Sequence, residues 1–157
     1  SAASDVYKRQ MKDLRIVATY LRSVDTVERV IRHARDIARS DRSLDENAEE
    51  LPEVIVNSVL EMHGGLNELL DTMSDCLIMG EELPIEKVKS TWAMVREEHG
   101  KAVEALSSLK SDTMGGKIGR LEVVNIVSRV ERSAYNLVRL GGLWHHALDN
   151  ENIILDD

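Results

Sequence analysis

Phenylalanine is absent from the chain, and tyrosine and tryptophan together bring the aromatic share to only 3%. Two prolines and one cysteine occur among the 157 residues. Scarce aromatics disfavour a β-rich domain, because strands draw on aromatic and β-branched residues in alternation. Scarce proline leaves long helices uninterrupted. The lone Cys76 excludes an internal disulfide and cannot supply a cysteine-rich zinc centre. No apolar run exceeds the four members of residues 76–79, whereas a bilayer crossing needs about 18. No basic segment leading into an apolar one marks a secretory signal. A cytoplasmic, all-α protein is expected, peripheral to a membrane at most.

What is abundant fits that class. Leu, Val, Ala, Glu and Arg dominate, and 31% of residues are charged. The net charge of −8 is unevenly spread. Residues 1–43 carry ten Lys and Arg against six Asp and Glu, and the remainder carries ten against twenty-two. An acidic bulk lacks the basic face that neutralises phosphates along a nucleic acid, so no nucleic-acid partner is expected. The basic opening suits an acidic partner surface or the acidic remainder of the same protein.

Helical periodicity organises the chain. The opening residues 1–10 (SAASDVYKRQ) read as a scar of sequence assembly, which makes Met11 an internal residue and predicts further chain upstream. Leu14, Val17, Leu21, Val24, Val27, Ile31, Ala34 and Ala38 recur at steps of three and four, predicting a helix over 12–40 with that stripe inward. A polar stretch at 41–50 is expected to end it. Pro52 suits the first turn of a second helix. Ile55, Val59, Met62, Leu66, Leu69, Met73 and Cys76 form that helix's stripe, and Gly80 is its natural stop. Pro84 opens a third helix, with Ile85, Val88, Trp92, Val95, His99, Ala102, Leu106 and Leu109 on one face. A turn at 113–116 leads to a fourth helix over 117–148, with Val123, Val127, Val130, Ala134, Leu137 and Trp144 inward. At about 1.5 Å per residue these helices reach roughly 40 Å, so the expected architecture is an antiparallel long-helix bundle. Residues 151–157 read as an acidic tail.

Most catalytic and metal-binding constellations are missing. No histidine has a glutamate three residues before it, which removes the ferritin-like di-iron pattern. The run Gly115-Gly116-Lys117-Ile118-Gly119 follows a helix and lacks the spacing of a phosphate loop, so it reads as an interhelical turn. His99 lies on a core stripe, where a phosphate-accepting histidine should instead face solvent. His63 precedes Gly64 and Gly65, which suggest a close helix crossing. His145 and His146 diverge by about 100° on a helix and do not converge on one ion. Glu28 interrupts the stripe of the first helix, and Glu131 plays the same part in the fourth. Carboxylates at a bundle seam can hold iron or zinc when several converge. The alternative is an exposed ion pair, Glu28–Arg32 or Asp25–Arg29, worth a few tenths of a kcal/mol.

These residues carry a resemblance. Asp13, Leu14 and Arg15, followed by TVERVIRHARDIA at 26–38, resemble the signature of the PhoU family, in which a DLR segment leads into a helix reading approximately LERIGDHAxNIA. VERSAYNL at 130–137 is similar to a second copy of the same signature. The resemblance implies two tandem three-helix bundles. Residues 11–43 would supply the last helix of the first bundle, and residues 44–150 a complete second bundle. The first helix's stripe would then pack on helices 2–4 or on a second copy, giving a homodimer.

The resemblance also implies a function without catalysis. PhoU proteins link a phosphate ABC transporter to its sensor kinase and repress uptake and starvation signalling when phosphate is plentiful. Some members hold iron or zinc through Glu-x-x-x-Asp motifs. Glu28 and Glu131 match the glutamates, but Arg32 and Tyr135 stand where the aspartates would be. A guanidinium one turn away competes for the carboxylate and repels a cation, so no metal cofactor is expected. Arg15, Arg22, Arg29, Arg32 and Arg39 make the basic docking face for the transporter ATPase or kinase. Two alternatives remain: a histidine phosphotransfer module using His99 or His63, and a PhoU-type adaptor domain of a larger DNA-binding or ion-channel regulatory protein.

Overall fold

The structure, a computed structural model, describes residues 1–47, 51–109 and 117–155. Four helices follow one another: α1 (Ala2–Asn47), α2 (Glu53–Met79), α3 (Ile85–Ser108) and α4 (Lys117–Asp149). No strand occurs among the described residues. No helix among them is long and apolar enough to cross a membrane. The expected all-α bundle is the fold.

The core lies among α2, α3 and α4, where the predicted stripes meet. Ile55, Met62, Leu69, Val88, Val95, Val127, Ala134 and Trp144 are all at most 5% exposed. A fully buried side chain of this kind stabilises the fold by about 1.5–3 kcal/mol. Gly65 sets the closeness of α2 to α3: a Cβ there would stand 2.6 Å from Val95 Cγ2 and 2.7 Å from Met94 Cε. The neighbouring Gly64 faces open space. Gly80 ends α2 with φ at 74°, and its N–H donates to the Cys76 carbonyl. A left-handed residue at this point suits glycine, which carries no Cβ to clash. Burial pushes the Cys76 thiol up to about 11, with help from Glu81 and Asp75.

Helix α1 departs from expectation in three ways. It is 46 residues long, because neither Gly nor Pro occurs before Pro52. The acidic and polar residues from Asp41 onward therefore continue the helix to Asn47 and do not break it. Residues 2–10 belong to the same helix, with every side chain exposed. Third, the helix packs on α4 with the face opposite to the predicted stripe. Leu14, Val17, Leu21, Val24, Val27 and Ile31 are exposed, Leu21 by 69%. The packed line is instead Ile16, Thr19, Ser23, Thr26, Val30, His33, Ile37 and Ser40, all buried or half-buried. These positions alternate steps of three and four, the spacing of a coiled-coil seam. Small side chains let the two backbones approach closely. Thr19 is 5% exposed, and its hydroxyl turns back to the Arg15 carbonyl at 2.9 Å.

Helices α1 and α4 run antiparallel. Thr19 Oγ1 lies 3.5 Å from the Leu143 carbonyl oxygen, while Arg129 and Asp36 meet at the other end at 3.8 Å. Tyr20 joins three elements: its hydroxyl donates to the Leu77 carbonyl at 2.7 Å, and its ring meets Trp144 edge-on at 6.0 Å. The Trp144 indole N–H in turn donates to the Glu81 carbonyl at 2.8 Å. Farther along, α1, α2 and α4 flank an open apolar groove of about 570 Å³, lined by Val30, Ile37, Ile55, Val59 and Val130 among others. The acidic tail is anchored too, with Leu155 only 5% exposed and its Cδ1 in reach of Gly142. The expected turn at 113–116, with the glycine pair before Lys117, lies outside the described residues.

Candidate functional site

The stretches at 26–38 and 130–137 lie on antiparallel helices and pack against each other. The Ser133 hydroxyl, 1% exposed, donates to the Arg129 carbonyl at 2.8 Å. That uses its single proton, so the 3.0 Å contact with His33 is a bond donated by the imidazole Nδ1. The neutral ring therefore keeps its proton on Nδ1 and leaves Nε2 as an acceptor. Burial, with Arg129, Arg132 and Arg32 nearby, holds the His33 pKa below its ordinary 6.5, against the opposing pull of Asp36.

Around this crossing a polar groove of about 640 Å³ opens between α1 and α4. Arg29 and Arg32 reach it from α1, and Arg129, Arg132 and Arg139 from α4. Two carboxylates, Asp25 and Glu28, share the lining, so the groove is net positive in a chain of net charge −8. Glu28 is occupied: Arg32 Nη2 sits 2.6 Å from its Oε1, with both side chains more than half exposed. This is the exposed pair anticipated above, and it contributes about 0.3–0.5 kcal/mol. The Asp25–Arg29 pair is not formed. Arg129 reaches Asp36 at 3.8 Å, and the Arg139 guanidinium lies 5.9 Å from the Tyr135 ring centre.

The two glutamates do not share a site. Glu131 lines a separate, adjoining groove with Trp92, Arg96, Arg132 and Tyr135. Iron or zinc needs several converging anionic or imidazole ligands. Glu28 has a guanidinium beside it, and Glu131 shares its groove with two. No group of three or more His, Cys, Asp or Glu among the described residues is placed to hold a metal ion. The donors present do not fit the metal.

The basic face divides. Arg29 and Arg32 enter the groove, whereas Arg22 and Arg39 are exposed outside it. Arg15 is half-buried, and its Nε finds no hydrogen-bond partner among the described residues. His99 is half-buried and His63 is exposed, the latter 3.5 Å from the Asn67 amide. Sequence reasoning does not single out Arg129, Arg132 and Arg139, which complete the groove. The signal was present: Arg129, Arg132, Asn136 and Arg139 recur at steps of three and four, the spacing of one helix face.

No protein-family model, no curated protein and no solved structure matches the chain.

Proposed function

We propose that the chain is a non-catalytic regulator of phosphate uptake and phosphate-starvation signalling, of the PhoU type. It works in the cytoplasm by docking on a phosphate ABC transporter ATPase, its sensor kinase, or both. One observation carries the reading: the stretch at 26–38 and its echo at 130–137 pack antiparallel on one another, tied by His33 and Ser133. Two related bundles in tandem would place their matching helices in this way. The exposed Arg22 and Arg39 on α1 offer charges for an acidic partner surface, and opposite charges across such a surface speed and orient docking.

The test is genetic. Deleting the gene in its host should switch on a phosphate-starvation reporter in phosphate-rich medium. The native chain should restore repression, and an Arg22→Glu, Arg39→Glu variant should not. A reporter that stays silent after deletion defeats the proposal. Restoration lost only with His63→Gln would point instead to phosphotransfer through that exposed imidazole.

A further inference from the structure

We infer that the arginine groove between α1 and α4 binds a soluble oligophosphate, an anion carrying several phosphate groups in a row. The inference goes beyond the regulator reading and does not depend on it, because binding is measured on the isolated chain.

Four features select this class of ligand. First, every cationic side chain in the groove is an arginine and none is a lysine. Guanidinium presents a planar fork that grips two phosphate oxygens at once, which a point-like ammonium does not. Second, Arg29 and Arg132 have no ion-pair partner among the described residues, so they meet an incoming anion without first breaking a bond. They approach from opposite walls, Arg29 on α1 and Arg132 on α4. Third, length matters. Arg129 and Arg139 are ten residues apart on one helix, about 15 Å at 1.5 Å per residue. A single orthophosphate cannot touch both ends, whereas a chain of phosphates can. Fourth, no aliphatic side chain lines the groove, which leaves nothing to receive an acyl chain. His33 sits at the base of the same arginines with a lowered affinity for protons, so a bound polyanion would draw a proton onto it.

Titration calorimetry with sodium tripolyphosphate on the 157-residue chain at physiological salt tests the inference. Saturable micromolar binding is expected, with orthophosphate and citrate weaker by about tenfold or more. The Arg29→Ala, Arg132→Ala variant should lose about tenfold or more in affinity, while Lys89→Ala on the exposed face of α3 should bind as the native chain does. Both groove arginines are exposed, so their truncation leaves the fold intact, as a thermal melt will verify. Proton NMR gives a second readout: the His33 titration midpoint should rise when tripolyphosphate is added. No saturable heat up to millimolar concentration would overturn the inference. So would unchanged affinity in the double variant, citrate binding as tightly as tripolyphosphate, or an unmoved His33 midpoint.

Discussion

Replacing a leucine by alanine on each of two helices contrasts the exposed stripe of α1 with the core face of α2. Leu21 is 69% exposed and Leu69 is 1% exposed. Complete burial of a leucine is worth about 1.5–3 kcal/mol. The third of Leu21 that is covered therefore contributes about 0.5–1 kcal/mol, and alanine's better helix propensity returns a few tenths of that. Leu69→Ala removes the same atoms from a packed interior and leaves a cavity, a change that costs about 3 kcal/mol. At about 2–4 °C per kcal/mol for a chain of this size, the Leu69 variant should melt roughly 6–12 °C lower and the Leu21 variant no more than about 3–4 °C lower. Thermal melts and urea unfolding followed by circular dichroism, at two protein concentrations a hundredfold apart, measure the shifts and the costs. A Leu21→Ala cost above about 2 kcal/mol at the lower concentration would refute the assignment of that stripe to the outer face. A cost that appears only at the higher concentration would show that a second copy covers it.

Two further predictions follow from the geometry. Gly65→Ala should destabilise the chain by about 1–3 kcal/mol, because the branched Val95 cannot retreat from the added carbon; Gly64→Ala, facing open space, should gain about 0.5–1 kcal/mol, and urea midpoints distinguish the pair. Stability should hold steady between about pH 6.5 and 8 and fall below that window, since the unfolded chain takes a proton at His33 before the folded one does. His33→Gln should remove that component; an unchanged difference between pH 8 and pH 5.5 in the variant would contradict it.

Much of this fold is legible in the sequence, and the reason is visible in α2 to α4. Their apolar positions form one stripe per helix, so periodicity and packing agree at Met62, Trp92 and Val127. In α1 two seams share a single helix. The more apolar one, from Leu14 to Ile31, dominates the pattern, yet contact with α4 runs through Thr19, Ser23, Thr26 and His33, whose small or polar side chains give no hydrophobic signal. The helix's length was also readable, from the absence of any glycine or proline before Pro52, but local polarity at 41–50 pointed the other way. At the site, the Glu28–Arg32 pair followed from spacing alone. The groove did not, because its arginines come from stretches a hundred residues apart and only the antiparallel crossing unites them.

The Tyr20–Trp144 contact gives the molecule an intrinsic optical gauge. One of its two tryptophans is sealed at the junction of α1, α4 and the segment after α2, its nitrogen satisfied by Glu81. Lifting α1 away would wet that indole while Trp92, buried on α3 against Tyr135 of α4, stayed dry. Emission from a Trp92→Leu variant would thus register detachment of the first helix alone, without any attached dye.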